Sequence, residues 1–203
     1  MSDITVYDAI PLESQVAAPT RPRLLLIGTS FASVAVIMAM AGLLGIYIKS
    51  RADVIATGGT WLPSGTTIPL TQPNMMAVTL VMSVLIMMWA VGSIGRDDRA
   101  NTFIALGLVL IMGFAFIAQT AFLLTIMDLG AADDSRAPLI YAVIGTHLAI
   151  IGAAMLYVAV MTLRTLGGEY NAKDREGIYG AALFWYVSVA LYMAVWYAIY
   201  IIK

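Results

Sequence analysis

The sequence predicts an all-α membrane protein: a bundle of five transmembrane helices, with the amino terminus in the cytoplasm and the carboxyl terminus outside. Three observations carry that expectation. Of 203 residues, 61% are hydrophobic and only 11% are charged, whereas soluble domains are nearer half apolar and a quarter charged. The charges are also segregated: the stretches 24–48, 75–95, 100–127, 137–163 and 177–202 contain no Asp, Glu, Lys or Arg, and each reaches the roughly 20 residues a helix needs to cross a hydrocarbon core. Finally, backbone amides in lipid must be hydrogen-bonded within their own segment, so runs of this length rich in Leu, Ile, Met and Ala form helices and not barrel strands.

The elements follow in order. Residues 1–23 are polar, acidic at Asp3, Asp8 and Glu13, and interrupted by Pro11, Pro19 and Pro22, which predicts a flexible tail ahead of a membrane domain over 24–203. The tail does not read as a signal peptide, because acid and not base precedes a full-length span. After the first span, Gly58-Gly59, Pro63, Gly65 and Pro69 supply turn chemistry that predicts an extended loop over 49–73. Arg96-Asp97-Asp98-Arg99 reads as a tight hinge, 128–136 as a small acidic loop, and 164–176 as a polar loop in which Gly167-Gly168 stops the fourth helix. Lys and Arg divide seven to four between the two sides, with Arg21, Arg23, Arg96, Arg99, Arg164, Lys173 and Arg175 facing Lys49, Arg51, Arg136 and Lys203. That bias sets the predicted orientation. No internal repeat of the kind found in many transporters is visible.

Composition also excludes chemistry. A net charge of −1 gives no basis for binding nucleic acid. With no Cys and a single His, the chain has no thiolate ligands and no imidazole pair for haem or copper. No Lys lies in a span to form a Schiff base, and no Asp or Glu to bind and release a proton or sodium ion, so an autonomous pump or ion-coupled carrier lacks its parts. A hydrolase fails similarly, since the one His has no intramembrane carboxylate to orient it. The chain therefore offers no catalytic, cofactor-binding or metal-binding residues.

Two polar side chains remain as candidates inside the spans, His147 and Gln119. They lie about 3 and about 5 residues outward of their helix midpoints, depths of roughly 4.5 Å and 7.5 Å at 1.5 Å per residue. Similar depth points to an interhelical polar contact that fixes helix register, or else to a proton relay or a polar wall against a partner protein. In the fifth span Trp185, Tyr192, Trp196 and Tyr200 are spaced seven, four and four, forming one aromatic stripe. It either packs as core with an interfacial anchor or lines a groove facing lipid or a partner.

In the first span Ala41-Gly42-Leu43-Leu44-Gly45-Ile46-Tyr47 is followed by Lys49 and Arg51, and the loop carries Trp61-Leu62-Pro63 and Ile68-Pro69-Leu70. The third span has Gly113-Phe114-Ala115-Phe116-Ile117-Ala118-Gln119, the fourth Gly145-Thr146-His147 through to Leu163-Arg164, and the fifth Phe184-Trp185-Tyr186 to Trp196-Tyr197 and Tyr200. Taken in order, these runs resemble the cytochrome c oxidase subunit III family of haem-copper terminal oxidases, in its short five-helix bacterial form. The sequence departs from the family's polar pattern at Val36, Phe122-Leu123, Ile150, Tyr186 and Val189, where the family carries carboxylates and histidines.

The resemblance implies a non-catalytic accessory subunit of a respiratory haem-copper cytochrome c oxidase in a bacterial plasma membrane. Such a subunit stabilises the catalytic subunit, holds lipid and guards oxygen access. Haem and copper would reside in partner subunits, with subunit I, subunit II and membrane lipids as the partners. A similar partner of a nitric oxide reductase and a self-contained small membrane transporter are the competing expectations.

Overall fold

The computed structural model describes residues 23–62, 68–127 and 136–202. All but Arg23 of the tail predicted for 1–23 and most of the acidic loop at 128–136 fall outside the described residues, as do Pro63 and Gly65. Five helices account for nearly all of what is described: α1 (Leu24–Ala56), α2 (Thr71–Gly95), α3 (Arg99–Met127), α4 (Ala137–Leu166) and α5 (Glu176–Val195), the last running on into a π-helical turn over Trp196–Ile201. All five are long and apolar enough to cross a membrane. The predicted all-α class with five membrane-spanning helices is what the chain adopts.

The α1 helix runs eight residues past Ile48, so the loop expected to begin at Lys49 begins at Thr57. Lys49 and Arg51 mark where hydrocarbon would end, not where the helix ends. Both are good helix formers, and Lys49 pairs with Asp53 one turn on at 2.6 Å, a surface pair of the kind that adds a few tenths of a kcal/mol. At 33 residues α1 is about 50 Å long, well beyond a hydrocarbon core of about 30 Å. The α2 helix likewise starts four residues earlier than predicted, because Pro73 sits in its first turn, where the missing N–H has no partner to lose.

Three helices end in the same way. After α1, the N–H groups of Gly58 and Gly59 return to Ile55 O and Val54 O; after α2, those of Asp97 and Asp98 return to Ile94 O and Ser93 O; after α4, those of Gly168 and Glu169 return to Thr165 O and Arg164 O. This is the Schellman arrangement, which needs a left-handed residue just past the cap. Gly58 and Gly168 supply it at φ 78° and 79°, and Asp97 does so at φ 61° without being glycine. Asp97 is held there by its carboxylate, which accepts from Ala172 N at 3.1 Å, tying the α2–α3 hinge to the α4–α5 loop. Asp98 then caps α3, its side chain accepting from Asn101 N at 3.0 Å and Asn101 Nδ2 at 2.6 Å. Those two bonds hold the Asp98 carboxyl below the usual carboxylate range.

In the bundle, α5 is central, packing on α1, α2 and α4, while α2 and α3 form a tightly paired antiparallel hairpin. The α1 helix lies at the edge, with its substantial contacts to α5 and α4. Two polar ties fasten it: its orphan Leu26 N–H donates to Glu176 Oε1 at the start of α5 at 2.8 Å, and Thr29 Oγ1 meets Tyr157 Oη of α4 at 3.1 Å. Gly180 of α5 makes this seam possible, since a Cβ there would collide with Tyr157 Oη and lie 3.1 Å from Thr29 Oγ1. At the opposite end, Arg51 Nη2 donates to Ile202 O at 2.8 Å, so the C-terminal ends of α1 and α5 share one side.

Candidate functional site

A buried imidazole lies where α3, α4 and α5 meet. His147 of α4 is 2% exposed, and its Nε2 lies 3.0 Å from Ser188 O of α5. A carbonyl only accepts, so the imidazole carries its proton on Nε2 and donates across the helix pair. The ring stands edge-on to Phe116 of α3 at 5.6 Å between centroids and tilted against Tyr192 of α5 at 5.4 Å, while Phe116 and Tyr192 meet edge-on at 5.1 Å. One imidazole and two aromatic rings thus lock three helices, a geometry favoured by ring quadrupoles.

The space left beside them is about 10 Å³, the lower limit for a single water. Its lining includes Met76, Thr120, Ile144 and Tyr200, with hydroxyls but no carboxylate or amine to pass a proton on. Among the described residues, no three His, Cys, Asp or Glu side chains group in a way that could hold a metal ion.

Gln119 does not bond His147. Its Nε2 lies 3.2 Å from Thr79 Oγ1 of α2, so each of the two candidates bridges a helix pair with a third residue. Neither partner had a visible signal: Ser188 contributes a backbone carbonyl, and Thr79 is an ordinary span threonine.

The aromatic stripe turns inward. Trp185, Tyr192 and Tyr200 are 0%, 2% and 1% exposed, so they face the bundle interior, and only Trp196 is half-buried. The cause is hydrogen bonding to α2. Trp185 Nε1 donates to Ser83 Oγ at 3.0 Å, Tyr192 Oη to Pro73 O at 2.9 Å, and Trp196 Nε1 to Asn74 Oδ1 at 2.9 Å. Ser83 passes its own hydrogen to Leu80 O at 2.6 Å, so the indole and the serine hydroxyl are both satisfied in a 0% exposed position. Three of the four stripe residues, Trp185, Tyr192 and Trp196, thus find on α2 the acceptor that lipid tails do not have.

A second aromatic joint closes the end where α1 and α5 finish. Trp61 Nε1 donates to Tyr47 Oη at 3.0 Å with the rings edge-on at 5.3 Å, and Arg136 Nη1 donates to Trp61 O at 2.9 Å. Trp61 is 4% exposed, so the start of the α1–α2 connection packs against the bundle. Its pairing with Tyr47 could not be read from the spacing of the two residues.

Residues 23–203, the whole helical body, match the family described as cytochrome c oxidase subunit III. The chain belongs to the cytochrome c oxidase subunit III family. Among its relatives, it is 25% identical over 156 residues to the cytochrome c oxidase subunit 3 of Oncorhynchus clarkii, covering 76% of this chain and 60% of the relative. It is 27% identical to that of Struthio camelus and 26% identical to that of Gallus gallus, each covering 75% of this chain and 59% of the relative. The chain thus spans about three-fifths of the length of the curated relatives it matches. It is a divergent family member, and the buried Trp185 and His147, with the half-buried Gln119, lie in the runs that carried the resemblance.

Proposed function

We propose that this chain is a non-catalytic accessory subunit of a respiratory haem-copper oxidase, seated in a bacterial plasma membrane beside a catalytic subunit that supplies haem and copper. Subunits I and II and membrane lipids are its partners. The observation that carries the reading is the family match over the entire five-helix body. The interior chemistry agrees with it. His147, Trp185 and Tyr192 each spend their one N–H or O–H on an acceptor in a neighbouring helix, which fixes helix positions. A scaffold needs rigid placement, and buried polar contacts of this kind supply register at about 1 kcal/mol each.

The test is to affinity-tag the chain in its native host, extract it in mild detergent, and record mass spectra and reduced-minus-oxidised absorption of what co-purifies. Haem bands with a large multi-helix partner, and oxygen consumption by the purified assembly, are the expected result. Deleting the chain should shorten the working life of the oxidase without altering its haem spectrum. A colourless chain that purifies alone and carries flux in liposomes would overturn the proposal.

A further inference from the structure

The outward face of the α2–α3 hairpin carries a polar group that lipid cannot satisfy. Thr79 and Gln119 are both half-buried. They lie about 6 Å and about 9 Å along their axes from the midpoints of α2 and α3, within a hydrocarbon core of about 30 Å. The Thr79 hydroxyl has one hydrogen, and Met75 O, at 2.9 Å, takes it. Gln119 Nε2 donates to the same hydroxyl oxygen at 3.2 Å, while Gln119 Oε1 stands 3.4 Å from it. A primary amide has two N–H donors and two acceptor lone pairs. One hydroxyl whose hydrogen is already committed cannot meet them, whichever way round the amide is placed.

The surroundings are apolar and open. Met75, Val78 and Met82 on α2 and Phe122 on α3 are 53%, 60%, 45% and 55% exposed. Beside Thr79, residues Leu70, Asn74, Met75 and Val78 border a groove of about 530 Å³. The edge helix offers a useful contrast, because its exposed Ser30 sends its hydrogen back to Leu26 O at 2.8 Å, and Leu24, Phe31 and Met38 around it are 70%, 73% and 70% exposed. That face asks nothing of its surroundings but hydrocarbon.

We propose that the α2–α3 face around Thr79 and Gln119 is a docking surface for a transmembrane helix of a partner chain, which fills the groove with an apolar side chain and offers a hydroxyl or amide to the Gln119 side chain. The inference rests on the reading of this chain as an oxidase subunit and says which face meets the partner. An intramembrane amide with unmet hydrogen bonds is costly against lipid and favourable against a helix that answers it.

The chain has no cysteine, so single-cysteine probes are clean. Val78→Cys, Phe122→Cys and, as the reference on α1, Phe31→Cys are labelled in native membranes with a benzophenone maleimide, irradiated, and resolved by mass spectrometry. Adducts to the haem-bearing partner from Val78→Cys and Phe122→Cys, but not from Phe31→Cys, are expected. Gln119→Leu should weaken retention of that partner in detergent about fivefold while leaving the circular dichroism of the isolated chain unchanged. Adducts at twice the chain's own mass would replace the partner with a second copy. Lipid adducts alone, or protein adducts from Phe31→Cys alone, would overturn the docking face. The unsubstituted chain separates the two levels: if the haem partner co-purifies but the adducts map to α1, the face is wrong and the subunit reading stands, whereas if no partner co-purifies both fall.

Discussion

The α1 and α5 helices both cross the membrane, yet 22% of the apolar stretch of α1 is buried in the bundle against 61% of that of α5, and α1 is the more apolar of the two. In water the order would be reversed. Lipid tails are as apolar as Leu, so hydropathy exerts no pull toward the interior, and the central helix is chosen by what lipid cannot supply. The α5 helix carries indole and phenol groups that need acceptors, with Gly177 and Gly180 where neighbours come closest. The outer face of α1 carries Leu24, Phe31, Met38 and Ile46 and needs nothing. Burial in this protein follows hydrogen-bonding demand and close approach.

The largest test of that contrast is truncation of the central stripe. Trp185→Ala removes a fully buried indole and leaves Ser83 without its donor, and should cost about 3 kcal/mol or more. Phe31→Ala on α1 should stay within about 0.5 kcal/mol. Denaturation of both variants in one detergent measures the difference, and equal losses would remove the distinction between the two helices.

Next comes the seam that joins them. Gly180→Ala drives a methyl into Tyr157 Oη and separates it from Thr29. An overpacking cost of about 1–3 kcal/mol is expected, appearing first as faster hydrogen exchange in α1 while α2 and α3 keep their protection. Uniform loss across the bundle would show that α1 is not a separable edge.

Glu176→Ala sharpens the same point at lower cost. It strips the acceptor from Leu26 N–H and should lose about 1 kcal/mol, as helix caps do, whereas Glu176→Gln keeps an acceptor and should lose less. Amide exchange at Leu26 reads it directly.

The smallest effect lies at the α2–α3 hinge, remote from α1. Hydrogen bonds from Asn101 lower the folded Asp98 carboxyl below its ordinary value of 3.8. The stability it adds is therefore fully present above that value and is lost as pH falls through the lower, folded one. Asp98→Ala should abolish this acid sensitivity at the hinge, visible in amide exchange at Asn101 between pH 5 and pH 2. The carboxyl is solvent-exposed, so the change should remain local.

The five helices were legible because charge is absent from them, a constraint imposed by the hydrocarbon itself. Their ends were less so: Lys49 and Arg51 mark a membrane boundary that the α1 backbone ignores, and the left-handed turn at Asp97 looks like any aspartate in a charged hinge. Candidate residues stood out because polar and aromatic groups are rare in the spans; in the structure His147, Gln119 and Trp185 each bond a neighbouring helix, and His147 and Gln119 do so with separate partners. Which partner each one takes was hidden, since Ser188 O and Pro73 O are backbone atoms and carry no residue signal. The direction of the stripe was hidden as well, because outward and inward are equally apolar until the acceptors on α2 are in place.

The π-helical turn at Trp196–Ile201 makes α5 two registers joined end to end. Up to Val195 the chain keeps the phase that sets Trp185 and Tyr192 against α2. Beyond it, Ala198, Ile199 and Tyr200 are buried in succession while Tyr197 is 56% exposed, as a turn closed over five residues instead of four permits. The turn thus acts as a vernier between the membrane-embedded phase and the closing contact of Ile202 O with Arg51. Deleting one residue within it would restore a single α-helical phase, leave the Trp185–Ser83 bond untouched, and swing the final aromatic residues to a new bearing around the helix axis.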